Sequence, residues 1–179
     1  HHGPIIVALA AALLGLAPPE LPAAPAAASL PERVRPAGGT PGSRPFLAAL
    51  DQVKPLDLRA AGYVEDEYLV EGHGYGYDWP TGDGPVKLAR GRYVTRILVR
   101  RPKSAAHFSG TVIVEGLNPS TPVDLPIMWA HSYAQFIADG HAWVGVAVKP
   151  NTMSPLRRFD PSRYGKLAMP HPRGGPACE

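Results

Sequence analysis

Cysteine is almost missing from this chain: Cys178, next to the last residue, stands alone, so no disulfide can form within it. Long apolar runs are also lacking. The longest, PIIVALAAALLGLA at residues 4–17, falls short of the roughly 20 residues a membrane-spanning helix needs. Metal-ligand spacing is absent, because His73, His107, His131 and His141 form no HxxxH or HxxE pattern and Cys178 has no partner. These histidines read as scattered surface or loop residues, and no metal is expected. The glycine-rich stretch GHGYGYDWPTGDG is followed by no helix-forming run, which excludes a phosphate cradle, and no cofactor is implied. Asn118-Pro119-Ser120 fails as a glycosylation acceptor because of its proline. No internal repeat is present.

Charge of one sign is in short supply too. The net charge is +3 with a pI near 9.1. Six of the 18 basic residues lie between Lys149 and Arg173 against one acid, Asp160. Only Phe159 and Tyr164 interleave with them, too few for a nucleic-acid surface, so the stretch reads as a solvated basic loop.

What is present begins with a leader. Residues 4–17 match the apolar core of a signal peptide, and small residues follow at Ala23, Ala24, Ala26, Ala27 and Ala28, where a peptidase could cut. Export to the periplasm or beyond is the expectation for residues 1–28, with the basic segment that normally precedes such a core lost along with the initial Met. Residues 29–45, SLPERVRPAGGTPGSRP, read as a Pro/Gly-rich linker. Globular sequence is expected from residue 46 to 170, and an irregular tail over 171–179.

The globular region opens with a pair of half-exposed strands. RAAGYVEDEYLVEG alternates Val64, Tyr68 and Val70 against Glu65, Glu67 and Glu71. YVTRILVRR sets Tyr93, Thr95, Ile97 and Val99 against Arg96 and Arg100, which suggests a strand near a sheet edge. Between them lies an expected glycine-rich loop carrying Tyr75, Tyr77 and Trp79. Residues 110–150 then read as one strand–helix–strand unit. TVIVE (111–115) and WVGVAV (143–148) are continuous apolar runs, as in parallel strands buried on both faces. The helix between them is expected to start at Asp124 as N-cap, with Pro126 in its first turn, and to stop at Gly140. Trp129, Tyr133, Phe136 and Ile137 line one of its faces. Gly145 and Ala147 leave room for a close neighbour, and after Pro150 the period is lost. The expected fold class is α/β: antiparallel edge strands followed by one βαβ unit.

Six segments in this order, AGYVEDEYLVEG, YDWP, YVTRILVRRP, FSGTVIVEGLN, DGHAWVGVAVKP and FDPSRYGKLAMP, resemble the alpha/beta hydrolase domain proteins of bacteria over residues 58–170. The resemblance implies the N-terminal portion of an α/β-hydrolase sheet and an esterase-type serine hydrolase acting on a small ester-like substrate. In such enzymes a serine on a strand-to-helix turn attacks a carbonyl, and backbone N–H groups, one from the loop after the third strand, hold the oxyanion. Here that loop is Gly116, Leu117, Asn118 and Pro119, making Leu117 and Asn118 the oxyanion candidates; Pro119 has no N–H to give. The alternative is that Gly116 and Asn118 only make a tight turn.

No serine in the chain has glycine at both −2 and +2. His131 and Ser132 are adjacent on a helix and diverge, and nothing in the spacing gives Asp124 or Asp139 a triad partner. The expectation is therefore a fragment, inactive alone, whose nucleophile, acid and histidine follow in the whole enzyme. The rival is a secreted non-catalytic module that binds a ligand or envelope material through Tyr75, Tyr77, Trp79 and the basic stretch. A half-sheet is also expected to leave the Val144/Val146/Val148 strand unpaired along one side, and the isolated chain prone to aggregate.

Overall fold

A computed structural model of the chain describes residues 30–52, 54–80, 84–121, 123–171 and 173–174. The expected leader, residues 1–28, and most of the tail, Cys178 included, lie outside the described residues. Five strands form one mixed sheet in the order β1-β2-β3-β7-β4: β1 Arg33–Pro36, β2 Tyr63–Asp78, β3 Val86–Pro102, β4 Val112–Gly116 and β7 Ala142–Val146. Strands β5 (Asn118–Thr121) and β6 (Val123–Leu125) make a small separate hairpin. Helix α1 (Ile127–Ala138) crosses from β6 to β7, and two short helices, α2 (Met153–Phe159) and α3 (Pro161–Tyr164), follow. β7 runs parallel to β4 and antiparallel to β3. This is the α/β class that the sequence predicts.

The edge is not where it was expected. β7 sits inside the sheet between β3 and β4, so its valines are paired on both sides. Among the described residues it is β4 that lacks an outer neighbour, and Val112 and Val114 stand 53% and 63% exposed on a strand expected to be fully buried. Two further expectations change. Arg33–Pro36, within the stretch read as linker, pairs with β2, while Ala37 and Phe46 pack on the core. The basic stretch after Pro150 folds into α2 and α3, which bury Met153, Leu156 and Tyr164.

The glycine-rich loop is also mostly strand. β2 and β3 pair from Tyr63↔Pro102 out to Asp78↔Val86, with a bulge between Tyr75 and Tyr77. Glycine permits such a bulged ribbon without side-chain crowding.

The strongest departure concerns the faces of that ribbon. The core side of β2 carries Tyr63, Glu65, Glu67 and Leu69, and that of β3 carries Val94, Arg96, Leu98 and Arg100. The alternation is as expected, but the acidic and basic faces point inward. Register explains why: Glu65 is directly opposite Arg100, and Leu69 opposite Arg96 makes Glu67 the diagonal neighbour of Arg96. Arg96 Nη1 donates to Glu67 Oε1 at 2.7 Å and Arg100 Nε to Glu65 Oε2 at 2.7 Å. Each buried charge thus has its counter-charge, the condition on which burial depends.

Two apolar clusters flank this ionic layer on the same face. Under α1 lie Tyr63, Leu98, Leu117, Trp129, Phe136 and Trp143, with Tyr133 and Ile137 packed against them, so the apolar stripe of α1 is used as predicted. Under α2 and α3 lie Leu69, Val94, Ala147, Met153, Leu156 and Tyr164. The space at Gly145 is taken by core side chains: a Cβ there would run into the Trp143 ring and meet Leu117 at 2.8 Å.

Candidate functional site

In an open α/β sheet the place to look for a site is beyond the carboxyl ends of the parallel strands. Here that region holds the loop leaving β4, the β5–β6 hairpin and the start of α1. It is anchored by Glu115, at the end of β4 and 5% exposed. Its carboxylate accepts from the N–H groups of Met128 at 2.7 Å and Trp129 at 3.1 Å, and from Trp143 Nε1 at 2.9 Å. A negative charge thereby satisfies the first turn of α1 and opposes its dipole. Glu115 does from a neighbouring strand what Asp124 was expected to do locally. The N-cap of α1 is Pro126, without a side-chain cap.

Asp124 instead lies in the ionic layer, fully buried, with its Oδ2 3.4 Å from Arg96 Nε. Among the described residues neither of its oxygens finds a hydrogen bond. Burial raises its pKa above the usual carboxylate value, against the pull of Arg96. Burial alone would lower the pKa of Arg96, yet Glu67, Tyr164 and Asp124 together carry it above normal. Tyr164 gives a hydrogen bond to Glu67 Oε1 at 2.8 Å and takes one from the Phe46 N–H at 2.8 Å; burial pushes its phenol up. Arg163 ties Glu67 Oε2 at 2.9 Å to the Ala37 carbonyl at 3.0 Å. Hydrogen bonds from the Ser162 and Ser43 hydroxyls hold the Asp160 carboxyl down to about 2. The FDPSRYG segment therefore fastens the end of the chain to β2 and to the stretch before Phe46, rather than forming a solvated loop.

The two oxyanion candidates are placed differently. The Leu117 N–H donates to the Val146 carbonyl at 2.8 Å, and its side chain is buried in the core. Asn118 is half-buried; its Oδ1 accepts from the Ser120 N–H at 2.9 Å and also from the Ser120 hydroxyl. With that oxygen occupied, the Asn118 amide keeps its two N–H donors. The Pro119 carbonyl is held by Asn151 Nδ2 at 2.8 Å.

Leu125, paired with Asn118 across the hairpin, also lines a cleft of about 410 Å³. One wall is α1, through Ile127, Ala130 and Tyr133; the other holds Leu47, Asp51, Gln52 and Lys54. The pin between the walls is Arg100. Its guanidinium lies 4.6 Å from the Trp129 ring and 4.9 Å from the Trp143 ring, and Nη2 donates to the Leu47 carbonyl at 3.1 Å. Leu47 takes a left-handed backbone conformation, φ 54°, unusual for a residue other than glycine. Burial lowers the pKa of Arg100, opposed by Glu65. No local signal in the sequence marks Leu47, Gln52 or Lys54. For Arg100 a signal existed: acids on one side of β2, Glu65 and Glu67, and arginines on one side of β3, Arg96 and Arg100.

At the other end of the sheet, Ser109 Oγ and His141 Nδ1 are 2.8 Å apart, and His141 Nε2 lies 3.7 Å from Asp139 Oδ2. Spacing had given Asp139 no such neighbour. Its carboxylate is engaged by Gln135 Nε2 at 2.7 Å, and Ser109 Oγ accepts from the Thr111 N–H at 3.2 Å. These bonds clasp the starts of β4 and β7. His131, on the exposed surface of α1, lines the cleft, and Ser132 is half-buried beside it. Among the described residues no group of three or more His, Cys, Asp or Glu side chains converges on a metal position, and no helix is long and apolar enough to cross a membrane.

Comparison with known proteins agrees with the sheet. No curated protein and no solved structure matches the chain. A family model, alpha/beta hydrolase domain, matches residues 33–177, from β1 to beyond α3. The chain belongs to the alpha/beta hydrolase domain family.

Proposed function

We propose that this chain supplies the opening portion of the catalytic domain of an exported serine hydrolase acting on ester bonds, and that it is inactive without the rest. The reading is carried by one observation: the β4–Asn118 loop opens beside an apolar cleft beyond the carboxyl end of a parallel strand. Family membership supports hydrolase chemistry on a small molecule. In the proposed mechanism the ester carbonyl lies over the loop after β4. Asn118 donates to the developing oxyanion through its amide, because the Leu117 N–H is already committed to Val146. A serine, its histidine and an acid, all supplied from outside these 179 residues, break the ester bond.

Reading the coding DNA beyond the Glu179 codon in all three frames tests whether the catalytic residues follow. A Gly-x-Ser-x-Gly turn followed by an acid and a histidine is expected; a stop with nothing of that kind in any frame would overturn it. A fluorophosphonate probe tests the inactivity of the chain alone. No serine of this chain is expected to label, and labelling would show it to be active by itself.

A second reading has one observation in its favour. Tyr75, Tyr77 and Trp79 stand 41%, 59% and 72% exposed at the free end of the β2–β3 ribbon, where a non-catalytic module could stack on a ligand. Under that reading Trp79→Phe removes a tryptophan fluorescence response to a glycan or lipid panel; a silent wild-type chain would reject it.

A further inference from the structure

We propose that the cleft beside α1 binds a small apolar carboxylate, a ligand distinct from the ester whose carbonyl the Asn118 loop receives in the reading above. Size and lining set the body of the ligand. At about 30 Å³ per water-sized group, the space holds roughly a dozen heavy atoms, within the small end of ligand cavities. Leu47, Leu125, Ile127, Ala130 and Tyr133 line most of it, so that body is apolar.

Charge sets the polar end. Assigning the Gln52 amide by its hydrogen-bond partners puts its oxygen toward Arg100, where it accepts from Nη1 at 2.9 Å and Nη2 at 2.8 Å. That commits the acceptor and leaves the two N–H donors of Nε2 to the cleft that Gln52 lines. At the rim, Asp51 is taken by Arg44 Nε at 2.7 Å. Lys54 has no ion pair among the described residues. Beside His131 and the Arg44-paired Asp51, the cleft thus offers a ligand's polar end the Gln52 donors and one cation, Lys54, without an ion pair among the described residues, which favour an acceptor carrying negative charge. A carboxylate meets both conditions; an amine meets neither, and an alcohol only the first. Arg100 acts as a positioning residue, since it fixes Gln52 and Leu47 on one wall and stacks on Trp129 of the other.

Isothermal titration calorimetry of the whole chain with octanoate, 1-octanol and octylammonium tests this. Octanoate is expected to bind saturably at one site, at least tenfold more tightly than either of the others. Ala130→Trp, an exposed helix position on the cleft wall, is expected to abolish binding without changing the melt. Lys54→Glu is expected to weaken octanoate at least tenfold. The proposal is overturned if octylammonium binds as tightly as octanoate, if Ala130→Trp leaves the affinity unchanged, or if a cooperatively melting chain shows no saturable binding. Octanoate binding needs no nucleophile, so the two readings fail separately. Binding here without ester hydrolysis by any longer product containing the chain would sink the hydrolase reading alone. Hydrolysis without octanoate binding would sink this site alone.

Discussion

One sheet has two faces, and each contradicts its composition. The face under the helices carries Glu67, Arg96 and Arg100, all 6% exposed or less. The opposite face carries Ile97, Val99, Val144 and Val146, only half-buried, and Val112 and Val114, more than half exposed. Burial is decided by what lies over a face, not by the polarity of the side chains on it. Polar residues survive under cover when each finds a counter-charge. Apolar ones remain uncovered when the described residues supply no layer above them.

The comparison breaks most sharply at Arg96. Arg96→Ala leaves Asp124 without a cation and strips Glu67 of one, and removing one partner of a buried pair costs about 3–5 kcal/mol. Urea unfolding measures it. The quadruple change Arg96→Met, Glu67→Gln, Asp124→Asn and Arg163→Met removes these linked charges together and is expected to recover more than half of the loss. Equal losses for the single and quadruple variants would mean that charge compensation is not what holds the covered face. Next comes Gly145→Val on the same face. The Trp143 ring it would strike is fully buried between Trp129 and Arg100 and has nowhere to go, so a cost of about 1–3 kcal/mol is expected. A melting temperature like that of the parent would show the Trp143 packing to be loose.

Much of this was legible in the residues. The apolar runs around β4 and β7, the α1 stripe from Trp129 to Ile137 and the α/β class all follow from period and length. Pattern alone did not assign faces. Alternation in EDEYLVEG and TRILVRR separates two sides, but only the pairing of β2 with β3 shows that the charged sides meet. Strand order was equally hidden: β4 precedes β7 in the chain, yet β7 pairs with β3 and β4 takes the edge. The cap of α1 comes from Glu115, 12 residues before its first residue, Ile127, and no local rule reaches that far. Of the site, the Gly116–Pro119 loop could be named from the resemblance, whereas the cleft wall at Leu47 and Gln52 depends on a contact to Arg100 about fifty residues away.

A smaller effect sharpens the covered face through pH. The pKa of Asp124 is raised in the fold. A carboxyl with a folded pKa above its unfolded value adds stability that is fully present below the unfolded pKa and lost as pH rises through the folded one. At neutral pH the ionised group is therefore a liability. Asp124→Asn is expected to raise stability at pH 7 and to differ little from the parent near pH 3, where both side chains are neutral. Thermal melts across that range decide it. A variant less stable at pH 7 than the parent would mean that Arg96 requires the charge.

The smallest expected change in stability belongs to the bare face, and there the informative readout is a different one. Val114 is 63% exposed on β4, which among the described residues has a neighbour, β7, on one side only, so Val114→Lys removes little buried apolar area and should shift unfolding by no more than about 0.5 kcal/mol. Its effect falls on association. An open, apolar edge templates pairing with another chain, and a lysine on it opposes that pairing. The monomer fraction in size-exclusion chromatography is expected to rise with Val114→Lys while the melt stays put. The same lysine at Val94, 1% exposed on the covered face, is expected to unfold the chain. If Val114→Lys proves as damaging as Val94→Lys, something covers β4, and the two faces are alike after all.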